Sequence, residues 1–213
     1  MSQPHRGLLI TLDGPKGAGK STTARNVGRD LERRGLAVHV TTQPSRNQLG
    51  EIARSKTDTY RGLTLACLVA ADRYHHLAHE LRPRRDAGEI VICDRYVASS
   101  FVLQQMDGVP LDFVEAINAH ADLPDLAVIL TADPTIAAAR IARRGSHDRF
   151  HTDVSTSARE VELYSKAAKR LAELGHEVVT LDTTGAMPDQ IARRIGDHIA
   201  ALVDVPGPRL GSA

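Results

Sequence analysis

Residues 14–22 read Gly14-Pro15-Lys16-Gly17-Ala18-Gly19-Lys20-Ser21-Thr22, with glycines, a lysine and hydroxyls at the spacing of a phosphate cradle. The pattern G-x-x-x-x-G-K-[ST] places glycine at both ends because the backbone curls round a phosphate with its N–H groups inward. Gly14 and Gly19 take those places, with Gly17 and Ala18 between them. Lys20 can reach the β- and γ-phosphates as a point charge, and Ser21, followed by Thr22, can ligate a Mg²⁺ carried by the nucleotide. A ligand-free glycine-rich turn is the alternative. The apolar run Leu8–Leu12 before the loop and the helical pattern from Thr22 after it favour the phosphate site.

Further charged groups follow other apolar runs. Asp13 ends the first run and reads equally as a helix cap or as a metal or ligand partner. Thr42-Gln43-Pro44, with Arg46 just beyond, follows the second. Asp94-Arg95-Tyr96 follows Ile90–Cys93; Asp94 there can hold the Mg²⁺ through water, and Arg95 offers a planar fork to a phosphate, unless the two form only a surface ion pair. Arg140, Arg143, Arg144 and Arg149 form a dense cluster. Like charges four apart on a helix repel, so Arg140 and Arg144 suggest an anion between them, with a solvated basic face as the alternative. Gly145-Ser146-His147-Asp148 would hinge this stretch, about 140–153, as a lid. His75, His76 and His79 lack acidic or cysteine partners at ligand spacing and read as solvated or sugar-facing.

These residues need a frame. Helices ending near Arg34, Asp86 and Leu174 are each closed by a glycine, Gly35, Gly88 and Gly175, before an apolar strand. With Leu8–Leu12 and Leu126–Thr131, the strands Leu36–Thr42, Ile90–Cys93 and Glu177–Leu181 alternate with helices, the pattern of an α/β fold whose parallel sheet is covered on both faces. Ligands collect at the carboxyl ends of such strands, where the charged residues stand. The 213 residues, 42% hydrophobic, suit one domain over 1–203 with a flexible tail at 204–213, rich in proline and glycine. A formal net charge of +1 gives no basic field for a nucleic acid and favours a small anionic ligand. Cys67 and Cys93 lie in apolar stretches without metal spacing and read as reduced core residues, which suits the cytoplasm. No run reaches the length of a membrane span, and Met1–Arg6 lacks the apolar region of a signal peptide.

The loop, Leu49-Gly50-Glu51-Ile52-Ala53-Arg54, Ala71-Asp72-Arg73, Asp94-Arg95-Tyr96 with Ser99-Ser100, and Arg144-Gly145-Ser146-His147-Asp148-Arg149-Phe150 occur in the order of the thymidylate kinase family, which the chain resembles over nearly its whole length. The resemblance implies a P-loop NTPase fold with sheet order 2-3-1-4-5, ATP and Mg²⁺ as donor complex, transfer to the 5′-phosphate of a nucleoside monophosphate, and a homodimer. It implies that Arg73 and Arg95 hold the acceptor with Ser100 and Gln104 near them, that Arg144 and Arg149 neutralise the transferring group, and that Arg140 lies against adenine.

The departures gather on the acceptor side. Lys16 stands where the family carries an acidic residue, Thr42-Gln43-Pro44 where it reads Arg-Glu-Pro, Val69 where it has a stacking phenylalanine, and Leu103 where it has a tyrosine; His151 replaces an acidic residue after the lid's Arg-Phe. Arg46 is a candidate replacement for the missing arginine, and Tyr74, Tyr96 and Phe101 are candidates for a base platform. These changes point to an altered pyrimidine nucleotide acceptor. A nucleoside or small-alcohol kinase and a nucleotide-binding switch protein are the competing readings; the first would need Asp13 as base, and the arginine-rich lid argues against the second.

Overall fold

A computed structural model describes residues 7–143 and 154–204. Its five strands are β1 (Leu9–Asp13), β2 (Val38–Thr42), β3 (Ile90–Asp94), β4 (Leu126–Thr131) and β5 (Val178–Asp182). All pair in parallel in the order β2-β3-β1-β4-β5, the P-loop NTPase arrangement. Around them lie α1 (Lys20–Arg33), α2 (Gln48–Ser55), α3 (Gly62–His76), α4 (Arg82–Asp86), α5 (Val97–Met106), α6 (Leu111–Asn118), α7 (Pro134–Arg143), α8 (Val154–Glu173) and α9 (Pro188–Asp204), with a π-helical turn at Leu77–Leu81 joining α3 to α4.

The central strands β1, β3 and β4 are largely apolar on both faces because both are covered. Ile10, Leu12, Ile90, Ile92, Leu126 and Val128 pack with Val27 and Leu31 of α1 and Ile195 and Ile199 of α9. The alternate residues Ala127 and Ile129 pack with Phe101, Val102, Val114 and Tyr164 of α5, α6 and α8. Leu9, Val91 and Cys93 meet Leu77, Leu81 and Tyr96. Complete burial of each branched side chain contributes on the order of 1.5–3 kcal/mol, so the three central strands form a stiff base for the loops at their carboxyl ends.

The expected strands are present; Leu126–Thr131 has the expected bounds, the other four are displaced by one or two residues toward the C-terminal end at one or both boundaries, and α1 begins at Lys20 rather than Thr22. Cys67 departs from expectation. Cys93 is buried, but Cys67 is exposed, because its turn of α3 faces away from the sheet together with Leu63 and Ala71. A local apolar stretch does not reveal which side of a helix meets the core.

Candidate active site

β1 delivers the chain into the loop, and α1 takes it away. Gly14 has φ 144° and Gly17 φ 86°, and a Cβ at either would fall 2.2 Å from Leu130 O or 2.5 Å from Ala137 O. Only glycine fits a loop pressed this closely on β4 and α7. Lys20 is buried at the start of α1 and donates to Gly14 O and Pro15 O, both at 2.8 Å. Burial and then the neighbouring Arg95 pull its ammonium down to about 7, against the opposing pull of Asp94, Glu160 and Asp13.

The register of β1 on β3 sets Leu12 opposite Asp94, so the carboxylate stands beside the loop. Ser21 Oγ donates to Asp94 Oδ2, while Asp94 Oδ1 is buried without a hydrogen-bond partner among the described residues. An orphaned carboxylate oxygen next to a hydroxyl and a lysine is a costly arrangement unless a cation completes it, and oxygen donors are what Mg²⁺ takes. The residues therefore fit a nucleotide-borne Mg²⁺. Among the described residues no group of three or more His, Cys, Asp or Glu side chains could hold a metal ion.

Arg95 turns the chain between β3 and α5 with φ 72°, a strained conformation for a non-glycine residue. Its N–H donates to Leu12 O at 2.9 Å, and its Nη1 donates to Ser99 Oγ at 3.3 Å and Tyr164 Oη at 3.2 Å. Asp13, 1% exposed, is occupied as a cap: Oδ1 accepts from Tyr96 N at 2.8 Å, Ser99 N at 2.9 Å and Ser99 Oγ at 2.6 Å. Burial raises its pKa despite those bonds. Of the two readings of Asp13, the geometry displays the helix cap, and the side chain fastens the start of α5 to β1.

On the other side of the loop a cleft of about 200 Å³ is lined by Gly17, Gly19, Thr22, Arg140, Thr183 and Ile191, among others. Arg140 Nη2 donates to Thr183 O at 3.0 Å and Thr184 O at 3.2 Å, and its Nη1 to Gly17 O at 3.3 Å, which ties α7 to the loop and to the end of β5. Thr183 Oγ1 also bonds Ala18 O at 3.1 Å.

The thymidylate kinase family profile matches residues 12–195, from the end of β1 into α9. The chain belongs to the thymidylate kinase family. Among its relatives, a probable thymidylate kinase of Pyrobaculum aerophilum is 33% identical over 92% of this chain and 97% of its own length. A probable thymidylate kinase of Staphylothermus marinus is 38% identical over 68% and 73%, and a thymidylate kinase of Caldicellulosiruptor saccharolyticus 32% identical over 86% and 92%. As a family member the protein is a phosphotransferase of the nucleoside monophosphate kinase class.

Family membership gives the remaining positions a frame. Arg73 is 1% exposed and donates through Nε to Gln43 Oε1 at 2.8 Å, through Nη1 to Asn118 Oδ1, and through Nη2 to Ser100 Oγ at 2.8 Å and Tyr96 O at 3.1 Å. Arg73, Ser100 and Arg95 are thus gathered around the start of α5. Gln104 is buried on the same helix, and its Oε1 has no hydrogen-bond partner among the described residues. Val69 and Leu103 are half-buried on α3 and α5. Lys16 is half-buried, and its backbone N–H donates to Glu160 Oε2 at 3.0 Å. Arg46 is exposed and makes none of the hydrogen bonds that join Gln43, Ser45 and Asp72 to this region, so it does not occupy the place of an inward-facing arginine. Arg144 and Arg149, with the hinge at 145–148, lie outside the described residues.

Sequence reading missed Glu160 and Tyr164 of α8 and Thr183 after β5. Thr183 had a signal, its place just past a strand's carboxyl end. Glu160 and Tyr164 had none, since a Glu and a Tyr within a helical pattern are ordinary surface and core residues. His76 also departs from expectation: it is buried among Thr41, Glu80 and Gln43, whereas His75 and His79 are exposed with their rings stacked at 4.1 Å.

Proposed function

We propose that the protein transfers the γ-phosphoryl group of ATP to the 5′-phosphate of a pyrimidine nucleoside monophosphate, with an acceptor preference altered from thymidine monophosphate. The orphaned Asp94 Oδ1, on a carboxylate that Ser21 engages through Oδ2, carries the donor half of this reading. Ser21 and Asp94 would hold the Mg²⁺, which neutralises charge between phosphate oxygens when bound. Gly14, Gly17, Ala18 and Gly19 supply backbone to the phosphates, Lys20 supplies charge, and Arg140 faces the cleft suited to the base. Arg95, fixed by its strained backbone and by Ser99 and Tyr164, presents its guanidinium to the acceptor phosphate, with Arg73, Ser100 and Gln104 on the acceptor beyond it. Phosphoryl transfer asks mainly for alignment and charge neutralisation, which these groups provide without a covalent intermediate. Arg144 and Arg149 would complete the charge balance from a lid at 140–153, within one kinase domain over 1–203 and apart from the tail at 204–213.

Lys16, Val69 and Leu103 support the altered acceptor, since none offers a carboxylate to a sugar hydroxyl or an aromatic face to a base. The names of the relatives favour thymidine monophosphate itself. Homodimer formation is part of the proposal, supported by Leu63, Cys67 and Ala71, exposed on one face of α3. No described helix is long and apolar enough to cross a membrane, in keeping with a cytoplasmic enzyme. Release of ADP from ATP and Mg²⁺, followed across a panel of nucleosides and nucleoside monophosphates, tests class and acceptor together. A pyrimidine monophosphate other than thymidine monophosphate should give the highest kcat/KM. Thymidine monophosphate in first place would remove the altered preference, and stimulation by nucleosides alone would remove the monophosphate kinase reading.

A further inference from the structure

Behind Arg73 runs a buried polar chain to which phosphoryl transfer assigns no role. Among the described residues the four hydrogen-bond partners of Arg73 are neutral, and the one on Nε is Gln43 Oε1. Because that oxygen faces a guanidinium, the Gln43 amide must turn its NH₂ toward His76 Nδ1, 3.3 Å away. Nδ1 therefore accepts, and the ring carries its proton on Nε2, facing Thr41 Oγ1 at 3.1 Å and Glu80 Oε1 at 3.2 Å. Glu80 also accepts from Thr41 at 2.7 Å and pairs with His39 Nε2 at 2.9 Å. Burial pushes the Glu80 carboxyl up, but the bonds from His39, Thr41 and His76 outweigh it and hold the group down at about 2. Glu80 comes from the π-helical turn, a geometry that often marks functional positions.

We propose that His76 and Gln43 form a positioning relay that aims the Arg73 guanidinium at the acceptor nucleotide, and that the relay holds only while His76 is neutral. A proton on Nδ1 would set two donors against each other, N–H against the Gln43 NH₂. Rotating the amide would only move the conflict to Arg73 Nε, so either arrangement leaves buried donors unpaired. The charged and titratable groups around the ring are Asp72 and Arg73 of α3, Glu80 of the π turn and His39 of β2. Burial lowers the His76 pKa from its ordinary value, and the hydrogen bond to Glu80 opposes this only in part.

The relay rests on Arg73 contacting the acceptor, so the experiment has one arm that does not. In wild type, ¹⁵N NMR of the His76 ring should show a protonated Nε2 and a bare Nδ1 at neutral pH. KM for the acceptor should rise by about tenfold for each pH unit below the His76 pKa, while KM for ATP stays level. Gln43→Glu places an acceptor opposite Nδ1 whatever its protonation; the acid rise attributable to His76 should vanish and the ring should titrate at higher pH. Ionisation of the nucleotide's own phosphate is common to both enzymes and cancels. A proton on Nδ1 in wild type would overturn the relay, and so would the same acid rise in both enzymes. Absence of any acceptor-stimulated turnover would instead strike the kinase reading, and the ring tautomer, which needs no variant, would then decide the relay by itself.

Discussion

The two sides of the P-loop are built on different principles. On the side we assign to ATP the parts are built on backbone: glycines pressed on Leu130 and Ala137, and a lysine at the first turn of α1 and Arg140 beside a cleft, both bonded to main-chain oxygens. On the side we assign to the acceptor the parts are side chains from α3, α5, α6, α8 and the segment after β2, and Arg73 alone joins Gln43, Asn118 and Ser100. Phosphates are alike in all nucleotides, so a loop that reads them admits little variation. Bases and sugars differ, so the groups that read them can change without loss of the fold.

Changes on the ATP side should cost the most, whatever the acceptor. Lys20→Met should lower kcat by at least about a thousandfold in a steady-state assay, since a buried charge beside the transferring group acts mainly in the transition state. The same change should raise the melting temperature at pH 7–8. In the fold the lysine titrates at about 7, from an ordinary value of 10.5, so between those values the unfolded chain binds the extra proton. Stability from this group therefore falls as pH drops from 10.5 toward 7, and methionine escapes that penalty. Asp94→Asn keeps the size of the side chain and loses its charge; kcat should fall by about a hundredfold, with a higher Mg²⁺ requirement in a metal titration. Arg140→Ala should raise KM for ATP by about tenfold and leave the acceptor KM in place, which initial rates with each substrate varied would separate. The smallest effect is a proton. Phosphate beside Lys20 favours its charged form, so calorimetry in buffers of different ionisation enthalpy should find uptake approaching one proton per nucleotide at pH 8, falling toward none at pH 6.

The same division governs how far the molecule was legible in its sequence. The strands and helices followed from glycine-closed helices and apolar runs, whereas the sheet order came from the family resemblance, and Gly14 to Thr22 stood out as a phosphate-binding pattern because its glycines answer a backbone need. Asp94 and Arg95 were singled out because they follow a central strand, and the structure places Asp94 against Ser21 and Arg95 against Ser99 and Tyr164. Glu160 and Tyr164 were not, since only the packing of α8 against α5 brings them beside Lys16 and Arg95. His76 was misread because the fold, not its neighbours in the chain, buries it under β2. Cys67 was misread for the converse reason: α3 turns it outward.

The contrast between the two sides is tested most directly by kcat/KM for thymidine monophosphate relative to other pyrimidine monophosphates, measured in wild type and in Lys16→Asp/Val69→Phe. The paired change should shift preference toward thymidine monophosphate by about fivefold, the scale of one stacking contact, with KM for ATP unaltered. An unchanged preference, or a change confined to ATP, would contradict the assignment of these two positions to the acceptor.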